Sequence, residues 1–67
     1  MRARTYEITF VGEAGRVLRG EFDDCQVLVG LGSTTLRAER LDQGALQGIL
    51  QRIAELGLEL VDVRVQA

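Results

Sequence analysis

The chain has 67 residues, of which 46% are hydrophobic and 27% charged, and these values describe one small soluble domain spanning residues 1–67. A net charge of −2 argues against a nucleic-acid binder, and one cysteine with no histidine leaves no internal disulfide, no ordinary zinc or iron site and no histidine-based catalytic pair. No apolar run reaches the length of a membrane span and the first residues do not resemble a signal sequence, so we expect a cytoplasmic protein without cofactor, metal, nucleic-acid partner or membrane partner.

The first predicted element is a strand over residues 5–11. Tyr6, Ile8 and Phe10 alternate with polar residues, which is typical of a strand with one buried face. A slip of one residue would expose all three large side chains, so the pattern also predicts which face points to the core.

Residues 12–24 allow two interpretations. Four apolar residues recur at helical spacing, namely Ala14, Val17, Leu18 and Phe22. Gly15 and Gly20 each weaken a helix by about 1 kcal/mol, so a strand over residues 16–22 is the alternative. We prefer a short, weak helix and keep the strand version open.

Two strands joined by a glycine-bearing loop follow. The first begins at Cys25 and ends at Val29, the loop covers residues 30–33, and the second strand covers residues 34–41. Glycines supply the positive φ angles that such hairpin loops require. Cys25 itself is expected to be a small core residue, because the chain has no lysine or histidine that could lower its pKa.

A helix is predicted over residues 43–56, with Asp42 as its N-cap. Its apolar residues form one stripe, namely Leu46, Ile49, Leu50 and Ile53. Gly57 fits the left-handed position that ends a helix, and Leu58 would then pack back on Ile53. The last strand covers residues 58–65.

These elements predict a small two-layer α+β domain with an antiparallel sheet and one main helix. The order βαββαβ is the split βαβ, or ferredoxin-like, arrangement, with the first helix short or replaced by a strand. Strand and helix periodicity also predict the core, which comprises Tyr6, Ile8, Phe10, Val27, Val29, Leu36, Ala38, Leu46, Ile49, Leu50, Ile53, Val61, Val63 and Val65.

Helices on one side leave the other face of the sheet open, and the candidate interaction residues lie there. The apolar ones are Val11, Leu28 and Leu60, and the polar ones are Thr35, Arg37 and Arg64. The two arginines are expected either to form cross-strand ion pairs with Glu39 and Asp62 or to recognise an anion or a partner.

Four segments resemble a group of short, uncharacterised actinobacterial proteins. They are YEI at 6–8, TTL at 34–36, DQGALQGIL at 42–50 and ELGLELVDV at 55–63. The chain departs from the group's pattern at Gln47, where the group commonly has histidine, and at Glu39, where it commonly has proline. The group has no assigned activity, so the resemblance implies membership without implying chemistry.

Three functional hypotheses follow. A core of this size supplies only about 3–5 kcal/mol, so we expect a non-catalytic interaction module that self-associates, as a homodimer, through its open sheet face or a sheet edge. The alternative is a regulatory domain similar to the ACT type, which binds a small ligand where two copies meet. An enzyme is the remote third hypothesis, because carboxylates, arginines and Tyr6 show no catalytic pairing.

Overall fold

The structure, a computed structural model, describes residues 3–66 and contains four strands and two helices. In chain order they are β1 (Arg4–Val11), α1 (Arg16–Glu21), β2 (Gln26–Val29), β3 (Ser33–Leu41), α2 (Gln43–Glu55) and β4 (Leu60–Gln66). The order βαββαβ is the one that the sequence predicts.

All four strands form one antiparallel sheet in the order β2-β3-β1-β4. Strands β1 and β3 are therefore central, and β2 and β4 are the two edges. This is the ferredoxin-like arrangement, in which each helix follows one central strand and leads across to an edge strand. The predicted fold class is confirmed.

The segment with two interpretations contains a helix. Helix α1 has only six residues and no side-chain N-cap, and none of its residues is buried. The strand alternative is therefore wrong, and so is the expected position of Val17, which is 83% exposed. With six residues, none of them buried, α1 covers little of the sheet.

Helix α2 has both predicted ends. The Asp42 carboxylate accepts a hydrogen bond of 2.8 Å from the Ala45 amide. At the other end Gly57 has a φ of +74°, the Gly57 amide donates to the Ala54 carbonyl, and the Leu58 amide donates to the Ile53 carbonyl. This pair of bonds is the Schellman motif, which satisfies carbonyls that the last turn of a helix leaves free.

The core lies between α2 and the central strands. The predicted residues that are buried are Ile8, Phe10, Leu36, Ala38, Leu46, Ile49 and Ile53, with Tyr6, Val27 and Leu50 partly buried against them. Two further apolar residues, Ala14 and Phe22, are buried although the predicted core does not include them. The Phe22 ring follows α1 directly and packs against Phe10 at a centroid distance of 6.4 Å, so it closes the side of the core that α1 leaves open.

Four predicted core residues are not in the core. They are Val29 in the edge strand β2, and Val61, Val63 and Val65 in the edge strand β4. Alternation along a strand predicts which face a side chain is on, but burial also needs a second layer over that face. At both edges of this sheet the helix layer is incomplete.

Thr34 is a fully buried polar residue that connects β3 to the chain after β1. Its hydroxyl donates to the Gly12 carbonyl at 2.6 Å and accepts from the Ala14 amide at 2.9 Å. The predicted alternation of β3 already places position 34 on the inward face, beside Leu36 and Ala38. Buried hydroxyls and amides need such partners, so Thr34 holds the turn before α1 in place.

Both ladders of β1 contain a register shift. In the β1–β3 ladder the shift lies between Arg4 and Tyr6, opposite an extra residue in β3. Arg40 lies in this part of β3 and has a φ of +59°, which an L-residue adopts at a cost in energy. In the β1–β4 ladder Thr9 pairs with Asp62 but Phe10 pairs with Leu60, so Val61 is the extra residue of a β-bulge.

Candidate interaction surface

The open face of the sheet is predominantly polar. The ladders place Gln26, Arg37, Glu7 and Arg64 in one row across the four strands. In the neighbouring row the hydroxyls of Thr9 and Thr35 form a hydrogen bond of 2.8 Å. Polar side chains on a sheet surface are hydrated, so burying this face would cost them their hydration.

In the described part of the chain, neither arginine of the open face forms the predicted ion pair across two strands. Arg64 forms an ion pair with Asp62 at 3.5 Å, and this pair lies along β4 and not across two strands. Among residues 3–66, Arg37 forms no ion pair, and its Nε atom is buried without a hydrogen-bond partner. Arg37 lies between Gln26 and Glu7 in the ladders, and the residue is partly buried.

Val11 and Leu28 are on the open face and about half-exposed, as predicted. They lie on opposite sides of β3, where Val11 pairs with Ser33 and Leu28 pairs with Thr35. With polar residues between them, they do not form a continuous apolar patch.

The prediction that Leu60 lies on the open face is wrong. Its partner in the β1–β4 ladder is Phe10, whose side chain is in the core. Directly paired residues share a face, so Leu60 is on the face that carries the helices. The physical reason is the bulge at Val61, which shifts the alternation by one residue.

Leu60 joins three valines of β4, and we name this set the β4 surface: Leu60, Val61, Val63 and Val65. Val63 and Val65 pair with Ile8 and Tyr6, so they too are on the helix side of the sheet. Their exposed fractions are 38% and 48%, and those of Leu60 and Val61 are 45% and 56%. Four large apolar residues within one strand, each more than one-third exposed, are unusual for an isolated domain.

The position of α2 explains why the β4 surface is uncovered. Helix α2 packs against β3, and Arg52 holds it to the end of α1. The Arg52 guanidinium donates to the Glu21 carbonyl at 2.7 Å, lies 5.0 Å from the centre of the Phe22 ring and forms an ion pair with Asp24 at 3.7 Å. These contacts are all on the α1 side of the helix layer, and β4 lies at the opposite edge of the sheet.

The free edge of β4 is the second component of the candidate site. β4 hydrogen-bonds to β1 along one side only, so every other residue directs its amide and carbonyl outward. The strand has seven residues, compared with four in the other edge strand, β2. Its sequence contains no proline or lysine, the residues that often prevent pairing of exposed edges.

Elsewhere the described residues offer little reactive chemistry. Cys25 is partly buried against the core, and burial together with the adjacent Asp24 carboxylate raises the pKa of its thiol to about 11. The thiol is therefore protonated at neutral pH and is a poor nucleophile.

An open depression of about 350 Å³ lies beside α1 and is lined by Ala14, Gly15, Arg16 and Arg19. Within residues 3–66, no helix is both long and apolar enough to span a bilayer.

Comparison with known proteins identifies a domain family. No curated protein and no solved structure matches the chain. The model of a family described as a domain of unknown function, DUF8691, matches residues 5–64, from the first strand to the last. The chain therefore belongs to this uncharacterised domain family.

Proposed function

We propose that this domain is a non-catalytic protein-interaction module that self-associates through the free edge of β4 and the adjoining β4 surface. The observation that carries the proposal is that β4 is an edge strand whose three valines are 38–56% exposed on the side of the sheet where the core lies. A second copy would cover these side chains and satisfy the outward backbone groups in one contact.

The β4 edge is favoured over the open face by its composition. The open face carries a row of charged and amide side chains and a hydroxyl pair, and its two apolar residues are separated. The β4 surface is continuous along one strand, so its burial removes apolar area from water with few polar groups to desolvate.

Sedimentation velocity of the wild-type protein at tens of micromolar tests the proposal. We expect a dimer, and a strict monomer over this range would refute self-association. Val61→Lys places a charge on the most exposed residue of the β4 surface and is expected to give a folded monomer. Val17→Lys is the matched control, because Val17 is 83% exposed on α1, and this variant should remain dimeric.

Leu28→Lys distinguishes the two faces. Leu28 is about half-exposed on the open face, so its substitution should leave the dimer intact if β4 forms the interface. If Leu28→Lys dissociates the dimer and Val61→Lys does not, the interface is the open face and the assignment to β4 is wrong. Circular dichroism of each variant checks that the substitution has not unfolded the domain.

Source and location form part of the same proposal. Within its family, the chain is proposed to belong with short actinobacterial proteins, which is supported by the segments at 6–8, 34–36, 42–50 and 55–63 and by a basic set made only of arginine. A cytoplasmic location is supported by a single cysteine, which cannot form an internal disulfide. Fractionation of the host cell tests the location, and recovery from the culture medium would contradict it.

A further inference from the structure

We propose that two copies pair β4 with β4 in antiparallel orientation, with the two-fold axis at Val63, so that the two sheets become one. This inference rests on the proposed function, since it specifies the partner and the register of the same contact. It follows from how charge and apolar side chains alternate along residues 60–66.

The two faces of the sheet restrict the registers that are available. In an antiparallel pair, residues directly opposite each other place their side chains on the same face. Val63 and Val65 are on the helix side of the sheet, and Asp62 and Arg64 are on the open side, where they pair with Thr9 and Glu7 of β1. A symmetric register must therefore place the axis on a residue, because an axis between residues would oppose an apolar side chain and a charged one.

Charge then selects one residue for the axis. With the axis at Val63, Asp62 of one copy is directly opposite Arg64 of the other, and symmetry makes this pair twice. With the axis at Asp62 the two Asp62 carboxylates oppose each other, and with the axis at Arg64 the two guanidinium groups do so. Opposite charges stabilise a cross-strand pair and like charges destabilise it, so the Val63 register is the favoured one.

Both charged side chains are available for a partner. Asp62 and Arg64 form an ion pair within the chain, but the side chains are 41% and 72% exposed and the distance is 3.5 Å. An exposed pair of this kind contributes little to the stability of the isolated domain. Pairing with the second copy would add a second neighbour of opposite charge to each residue.

The helix side of the same register is entirely apolar over the central residues. Val63 would meet Val63 of the other copy, and Val61 would meet Val65. These are the residues of the β4 surface that the domain's own helices leave exposed. The one register that pairs opposite charges on the open side therefore also brings the exposed valines together on the helix side.

Charge reversal tests the register. In the Val63 register, position 62 of each copy faces position 64 of the other. In the variant Asp62→Arg both of these pairs therefore consist of two arginines, and in the variant Arg64→Asp both consist of two aspartates. Each single variant should therefore dimerise at least about tenfold more weakly than the wild type. An equimolar mixture of the two variants restores opposite charges at both pairs, so it should form heterodimers with near wild-type affinity.

The controls carry the same charge changes at sites away from β4. Asp23→Arg and Arg16→Asp replace exposed residues before β2 and in α1, and both should dimerise like the wild type. Affinities would be measured by sedimentation velocity, and the composition of the mixture by native mass spectrometry.

The outcomes separate the two proposals. A monomeric wild type refutes self-association and the register with it. A wild-type dimer in which either single variant has no effect refutes the Val63 register. Val61→Lys then separates the remaining cases: it should still weaken a dimer that pairs β4 in another register, and a dimer that it leaves intact shows that the β4 pairing is wrong although self-association stands.

Discussion

Replacing Thr34 with valine should destabilise the domain strongly, although the two side chains have nearly the same shape. The hydroxyl of this fully buried residue donates to the Gly12 carbonyl and accepts from the Ala14 amide. Thr34→Val removes both hydrogen bonds and leaves the buried Ala14 amide without a partner.

The expected loss is about 2–3 kcal/mol, from about 1 kcal/mol for each bond and a further penalty for the unsatisfied amide. A domain of this size has a net stability of only about 3–5 kcal/mol, so about half of it or more depends on one hydroxyl.

Urea unfolding followed by far-ultraviolet circular dichroism measures this change. For a small domain the stability falls by about 1 kcal/mol per molar urea, so the midpoint should decrease by about 2–3 M. All variants are compared at one protein concentration, because association stabilises the folded state by an amount that rises with the logarithm of concentration.

Two neighbouring variants serve as controls. Thr35→Val makes the same change one residue later, where the hydroxyl bonds to Thr9 on the open face and water can replace it, so the loss should stay below about 1 kcal/mol. Thr34→Ser keeps the hydroxyl and should recover most of the stability. If Thr34→Val unfolds at the same urea concentration as Thr35→Val, the buried bridge does not stabilise the fold as we infer.

Three further predictions concern backbone conformation and the thiol. Gly57→Ala should destabilise the domain by about 1 kcal/mol, because position 57 has a positive φ. Gly48→Ala should stabilise it by about 0.5–1 kcal/mol, because Gly48 lies within a helix with open space around it. If both variants shift the thermal unfolding midpoint in the same direction, this reasoning is wrong. Arg40→Gly should raise the stability by about 1 kcal/mol by removing the cost of a left-handed arginine, and a lower unfolding midpoint would argue against that cost. Cys25 should react slowly with iodoacetamide at pH 8 because its pKa is about 11, and Asp24→Asn should accelerate the reaction several-fold by removing a charge that disfavours the thiolate; an unchanged rate would show that burial alone raises the pKa.

Local sequence patterns were sufficient to predict helix α2. Its core stripe, its Asp42 cap and its Gly57 ending depend on residues within one or two turns of each other, and all three are present in the structure. The same holds for the strand β1, where strict alternation predicts that Ile8 and Phe10 are buried.

The interaction surface could be predicted only in part. The sequence indicates which residues of β4 alternate, and it predicts that Val63 faces the same side as Ile8. It predicts burial for Val63 and an open-face position for Leu60, and both are wrong because they depend on other elements. A bulge exists only relative to a partner strand, and coverage of an edge depends on where a distant helix packs.

The order of strands and helices, the ends of α2 and the face of most side chains follow from the amino-acid sequence, because periodicity and capping are local properties of the chain. The closure of the core by Phe22 beside the short α1, and the position of α2 that Arg52 holds, depend on contacts between segments distant in the chain, so they are visible in the folded structure alone. The helix layer therefore ends before β4, and residues that resemble core residues in the sequence remain exposed along a free edge of the sheet.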